Sequence, residues 1–417
     1  MVVAASATAA ARIGSGLLIP AAATGDISIH AGRSIQINGV NDTVGIAGIR
    51  TAGDVSLSAP TISESGTGRI LAHALTTTSG GTTSLTGAAN QLGSFNATAG
   101  GDVTLANTGA LTIAGVSAGG NATISNIGSA TLSGPWSSTN ATLSAAGGSI
   151  TETPSSSIRA NVLSATADGA IALIGPNAVS VFNASNSTGN VELRNTSASL
   201  TLGAMRLTGD LTIDQSGALS IPATVSAQGV HLSATGDVLV GSAGGTNSAE
   251  LLATDALSLA TLQSIVVRGS DVTAGGSGSI VAGGLLDFSA GNVSLIGGAA
   301  LQAPVIMRGA NVTGAVAQDF RLTSGTGIGS GVLLSGGSNI VLTIGDTLRL
   351  DGSGNDAPAQ IMTETRNGTI SLLFPNAHSG SFFVDGVESS TKHGQDGFFT
   401  GSKPAKIGDT LLLKYGR

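Results

Sequence analysis

The sequence contains no cysteine, one tryptophan and one tyrosine, and aromatic residues make up 3% of its 417 positions. The absence of cysteine excludes disulfide-stapled scaffolds, thiolate zinc sites and cysteine nucleophiles together. Charge is scarce as well. Asp, Glu, Lys and Arg account for 10% of the chain, against about 25% in an ordinary globular protein. A net charge of −7 and a pI near 5.1 argue against a phosphate-binding surface, so no nucleic-acid partner is expected. No apolar run reaches the roughly 18 residues of a membrane-spanning helix, and none is expected. With so few aromatic side chains to fill it, the interior is expected to be narrow, with little room for Phe or Trp.

What the sequence does have is glycine, 63 of them, and a regular unit that reads Gly-(Asp/Asn)-apolar-polar-apolar. Examples are Gly25-Asp26-Ile27-Ser28-Ile29, Gly53-Asp54-Val55-Ser56-Leu57, Gly101-Asp102-Val103-Thr104-Leu105, Gly209-Asp210-Leu211-Thr212-Ile213 and Gly291-Asn292-Val293-Ser294-Leu295. Asp102, Asn121 and Asn140 open equivalent strings at steps of 19 and 19, and Asn190 and Asp210 do so at a step of 20. Aliphatic residues alternating with Thr and Ser have the period of two that sends one set inward and the other outward. Gly, Asn and Asp tolerate the backbone needed where a chain turns a corner. Short strands separated by such corners, repeating every ~19–20 residues, describe the coils of a parallel β-helix. A low-complexity disordered chain would not need aliphatics at alternating positions in fixed register.

These coils resemble the repeats of filamentous haemagglutinin-like exoproteins, the two-partner-secreted adhesins of bacteria, over roughly residues 25–370. The resemblance implies an all-β fold, a right-handed parallel β-helix forming a monomeric rod. It also implies a structural adhesin, secreted or at the cell surface, with a host-cell or surface glycan or protein receptor as partner. The full-length parent would have an outer-membrane transporter as a further partner. Proteins of this family begin with a signal peptide and a secretion domain bearing Asn-Pro motifs. Here no Asn-Pro occurs, and the opening MVVAASATAA lacks a positive n-region. The chain therefore reads as a C-terminal fragment, a chain with a misplaced start or a degenerate relative, and export is expected of the parent protein.

The repeat divides the chain into a lead-in or first coil (1–24), a β-helical domain (25–372) and a C-terminal capping segment (373–417). The last segment holds Phe374, Phe382, Phe383, Phe398 and Phe399, five of the nine Phe, with His378, His393, Tyr415 and all the lysines: Lys392, Lys403, Lys406 and Lys414. Bulky aromatics folded over the open end of a stacked core, with Lys discouraging edge pairing, would form a cap. Loops are expected where the repeat breaks, near Thr51–Ser94, Gly134–Asn161 and Gly241–Asp255.

Chemistry is sparse. There is no His-Glu-x-x-His and no lysine before residue 392 to complete a phosphate loop, and the one Gly-x-Ser-x-Gly string, Gly115-Val-Ser117-Ala-Gly119, lies within the strand repeat. His30, His73 and His231 are far apart in sequence, and His231 alternates with Val230 and Leu232, which places it outward. The string Gly352-Ser-Gly354-Asn-Asp-Ala357 lacks the helix of a dinucleotide site, and Asp351 to Asp356 lacks the sixth-position glycine of a calcium loop. The turn carboxylates Asp26, Asp54, Asp102, Asp210 and Asp237 are read as corner residues. Glu152, Arg159 and Asp168 form the densest mixed stretch, beside Pro154 in what reads as a loop. No catalytic, cofactor-binding or metal-binding residue is therefore assigned, no cofactor is expected, and the chain is read as not an enzyme. The competing reading is a polysaccharide-active lyase or hydrolase on the same scaffold, which would cluster carboxylates with Arg on one outer face. A Thr array for ice or carbohydrate is a further possibility, but no Thr-x-Thr repeats in register. Ten Asn-x-Ser/Thr sequons occur, among them Asn121, Asn140, Asn183 and Asn311, several of them simply corner Asn followed by an outward hydroxyl.

Overall fold

A computed structural model describes residues 2–4, 12–14, 25–39, 48–186, 188–245, 248–272, 274–352, 357–365, 368–373, 381–384 and 387–389. Among them are forty strands and no helix. The protein is all-β, and the strands pair in parallel except Ser381–Val384 with Val387–Ser389, which pair antiparallel. Two compact units divide the chain, Met1–Thr196 and Ser197–Arg417.

In the first unit each strand bonds to the strand one pass later, so residues of one type stack into columns. Along one ladder the inward column runs Ile35, Ile62, Thr83, Val103, Ala122, Ala141, Leu163 and Phe182, all buried. A second column runs Leu111, Ala130, Ile150, Ile171 and Val191. A third runs Leu57, Thr77, Ala97, Val116, Trp136 and Ile158. The alternation of apolar and hydroxyl residues is what forms these strands: β-branched and aliphatic side chains fit a pleated surface with one buried face.

The steps between stacked partners are 19 from Val103 to Ala122, 19 from there to Ala141 and 22 to Leu163. The repeat expected from the sequence is thus present there. It lengthens in the second unit. Leu211 pairs with Val230 after 19 residues, but Val230 to Leu257, Leu286, Val312, Ile340 and Ile370 advances by 27, 29, 26, 28 and 30. The added length lies in connecting segments before the strands Ala249–Ala253, Gly278–Ala282, Val305–Val316 and Val332–Ile344. These segments stack too: Ala300 N–H donates to Ser270 O, Gln302 N–H to Ile328 O, and Ser330 Oγ to Ala300 O at 2.7 Å. A uniform 19–20-residue period therefore holds for part of the chain only.

Two further expectations are corrected. Thr51–Ser94 and Gly134–Asn161 are not loops; they are filled by paired strands such as Asp54–Ala59, Arg69–Ser79 and Asn140–Ala146. Of the third stretch, residues 241–245 and 248 lie outside strands and the following residues form Ala249–Ala253. The interior also accepts aromatics. Trp136, Phe95, Phe182, Phe288 and Phe320 are all at most 1% exposed. Phe288 fits because Gly314 lies opposite it in the next strand, where a Cβ would come 2.3 Å from the ring. Phe288 and Phe320 then meet edge to face, 6.0 Å between centroids.

Within the expected cap, Ser381–Val384 continues the parallel ladder of Thr347–Asp351. Most of the rest of 373–417, including His378, His393 and the four lysines, lies outside the described residues, as does most of the lead-in 1–24.

Candidate functional site

The outward side of the first ladder of the first unit carries two columns of small side chains, all polar except Ala106. One runs Ser84, Thr104, Thr123, Thr142, Ser164 and Asn183, and the other Ala106, Ser125, Ser144, Thr166 and Ser185. All are half-buried or exposed, and none is charged. Parallel pairing sets the columns' internal spacing at ~4.8 Å, and the two-residue strand step separates the columns by ~6.7 Å. A corner ladder fixes the register at one edge: Asp102 Oδ1 accepts the Asn121 N–H at 2.8 Å, and Asn140 Nδ2 donates to Asn121 Oδ1 at 2.8 Å. This face combines Thr123-x-Ser125, Thr142-x-Ser144, Ser164-x-Thr166 and Asn183-x-Ser185 in register. A search for Thr-x-Thr alone misses it, because Ser alternates with Thr and one step is 22 residues instead of 19. Each hydroxyl is both donor and acceptor, so the face can match a neutral polyhydroxylated surface.

The titratable residues singled out in the sequence are dispersed. His30 and His231 are exposed, and His231 stacks between Thr212 and Ser258. His73 Nδ1 lies 2.9 Å from Asp54 Oδ1 on the surface. The turn carboxylates do hold corners: Asp26 Oδ1 accepts the Asp54 N–H, Asp210 Oδ1 the Gly229 N–H and Asp237 Oδ1 the Ser264 N–H. The mixed stretch near Pro154 does not come together. Glu152 points inward, Arg159 is exposed, and Asp168 Oδ2 accepts the Gly147 N–H at 2.6 Å. Of the Asp351–Asp356 string, 353–356 lie outside the described residues, and Asp351 binds Arg349 Nε at 2.6 Å.

One arrangement was not foreseen. Arg321 and Arg349 lie opposite each other on neighbouring strands of the second unit, where like charges repel. Each is neutralised by an Asp two residues away in sequence, Arg321 by Asp319 at 2.6 Å and Arg349 by Asp351 at 2.6 Å. The bond to Asp351, and the attraction of its charge, raise the Arg349 pKa further. Carboxylates and Arg thus do share an outer face, as a polysaccharide-active site would require. Along the strand direction the backbones of the two Asp are four positions apart, ~13 Å, with the Arg pair lying between them. A shallow groove of about 440 Å³ also crosses the second unit, lined by Thr261, Leu262, Ala290, Gly291, Val316 and Gly345. It has no ionisable lining residue. Among the described residues no cluster of three or more His, Asp or Glu could hold a metal.

The inward side holds two carboxyls, Glu64, which sequence reasoning passed over, and Glu152, which it placed in a loop; they are exposed by only 4% and 5%. Glu64 Oε2 accepts from Gly87 N at 2.9 Å and Asn90 Nδ2 at 2.7 Å, and Asn90 Oδ1 in turn accepts the Ile70 N–H. Glu152 Oε2 accepts from Gly175 N at 2.8 Å and Asn177 Nδ2 at 2.9 Å, and Asn177 Oδ1 accepts the Ile158 N–H. Onward from each Asn the match continues: Asn107 Oδ1 accepts from Leu92 N, as Asn195 Oδ1 does from Val179 N. The two brackets are one device used twice, 88 positions apart at the Glu. In the sequence the signal was Ile-x-Glu-x5-Ile followed by Leu-x-Gly and Asn, at 62–90 and again at 150–177. Burial raises the Glu64 pKa from 4.5, and although its bonds from Asn90 and Gly87 work in the opposite direction, it still stands at about 7.

Compared with known proteins, the chain matches no family model, no curated protein and no solved structure.

Proposed function

We propose that the chain is a right-handed parallel β-helix of the filamentous haemagglutinin type and works as a structural adhesin, secreted or displayed at a cell surface. It would hold a binding face against a host cell, glycan or other surface. The hand follows the strong bias of parallel crossovers, and the family rests on the resemblance of the repeats. The observation that carries the functional reading is the uncharged face from Ser84 to Ser185, whose hydroxyls repeat in register over six strands. Such a face gains affinity by adding many weak hydrogen bonds along a repeating partner, which suits attachment and not turnover. The alternative, a polysaccharide-active enzyme, has as its best support the Asp319–Arg321 and Arg349–Asp351 pairs. Incubating the full chain with neutral and acidic polysaccharides separates the two. Retention on a neutral glycan without product supports the adhesin. Release of unsaturated sugars or new reducing ends, lost in Asp319→Asn or Asp351→Asn, would establish the enzyme instead.

A further inference from the structure

The Glu64 bracket ties together three consecutive passes of the chain. Its carboxyl sits on Thr61–Gly66, stacked on Ile37 of the strand before, and takes its two donors from Gly87 and Asn90 in the pass after. Asn90 then reaches back to the Ile70 amide at 2.7 Å, closing the corner between Thr61–Gly66 and Arg69–Ser79. Only Oε2 is engaged; Oε1 is buried without a partner. No room is left for adjustment, since a Cβ on Gly87 would lie 1.9 Å from Gly68 O and 2.8 Å from the Glu64 carboxyl.

We propose that Glu64 is a proton-controlled lock on this corner: the neutral carboxyl holds it closed, and ionisation loosens it. The charged form has no compensation in its surroundings. The neighbouring strands Ser34–Gly39 and Thr83–Ala99 carry no ionisable side chain. On the other elements packed nearby, Asp54 and His73 bind each other at the surface. Arg69 is half-buried and makes no ion pair with Glu64. A carboxylate formed here is a buried charge facing two dipoles and one empty side, and local opening to water relieves it. The raised proton affinity already described places the change in the neutral range.

The direction is fixed by linkage. A carboxyl that holds its proton more tightly folded than unfolded stabilises the fold fully below its unfolded pKa, and that stabilisation is lost as pH rises toward about 7. Hydrogen exchange of the full chain, corrected for the intrinsic rate, reads this at the Ile70 amide. Between pH 5 and 8 the opening constant there is expected to rise on the order of 50- to 100-fold, and to stay flat in Glu64→Gln, which copies the neutral carboxyl. An unchanged opening constant in the unsubstituted chain, or the same rise in Glu64→Gln, would overturn the proposal. If that variant does not fold, infrared difference spectra of the unsubstituted chain decide. A buried carboxylic acid band replaced by carboxylate between pH 5 and 8 upholds the lock; carboxylate absorption already complete at pH 5 refutes it.

Discussion

At Gly87 and Gly175 the absence of a side chain decides whether a corner closes. A Cβ at Gly87 would stand 1.9 Å from Gly68 O, and one at Gly175 would stand 2.2 Å from Ser156 O. Gly87→Ala and Gly175→Ala should each destabilise the first unit by about 2–4 kcal/mol, as backbone must move. Chemical denaturation measures this. Asn126 is as constrained: its Nδ2 faces the carbonyls of Gly109, Gly128 and Ser129 at 2.9–3.0 Å, and its Oδ1 accepts from Asn107. Asn126→Asp would turn a carboxylate toward three carbonyls, and a loss of about 3 kcal/mol or more is expected at neutral pH, smaller at acidic pH where the acid regains a donor. The Glu64 carboxyl should cost the fold about 3 kcal/mol across the window from pH 4.5 to about 7. Residues of this kind were only half legible. The corner Asp and Asn announce themselves by following Gly at a fixed step. Glu152 was read with Arg159 and Asp168 as part of a loop, and Glu64 does not announce itself either, because a Glu beside Ser in a strand reads as an outward polar residue. Its inward direction depends on donors 23 to 26 positions away.

Strands and their packing obey the same physics with larger parts. The 19-residue step at Asp102, Asn121 and Asn140 was legible because one side-chain bond per pass enforces it. The 26–30-residue steps of the second unit were not, because connecting segments such as 269–277 stack through Ser and main-chain bonds without a Gly-Asp signature. Thr51–Ser94 was misjudged for a related reason: its many Thr and Ser occupy strand positions, some outward and some, such as Thr77 and Thr83, buried in the inward columns. Compensation between neighbouring strands is open to a double-mutant test. Gly314→Ala alone drives a methyl into the Phe288 ring and should cost about 1–3 kcal/mol. Adding Phe288→Leu should recover part of that loss, giving a coupling energy that two independent sites would lack.

For the molecule as a whole, the scarcity of aromatics and charge takes on a definite meaning. Trp136, Phe95, Phe182, Phe288 and Phe320 are interior fillers, while the outward positions of the first unit are handed largely to Ser, Thr and Asn. Trp136, the single tryptophan, is 1% exposed and donates its indole N–H to Ser138 Oγ at 3.0 Å. Its emission should therefore be blue-shifted and shielded from acrylamide until the first unit unfolds, a reporter blind to the second. The functional reading stands or falls on the hydroxyl face. The most direct measurement is equilibrium binding of the full chain to a panel of immobilised glycans, with the products assayed in the same wells, beside a Thr123→Lys/Thr142→Lys variant that keeps its fold by circular dichroism. The account predicts saturable binding to a neutral glycan, no released sugar, and at least a tenfold loss of affinity in the variant. Binding unaffected by the two lysines, or glycan cleavage abolished by a single carboxylate substitution, would contradict it.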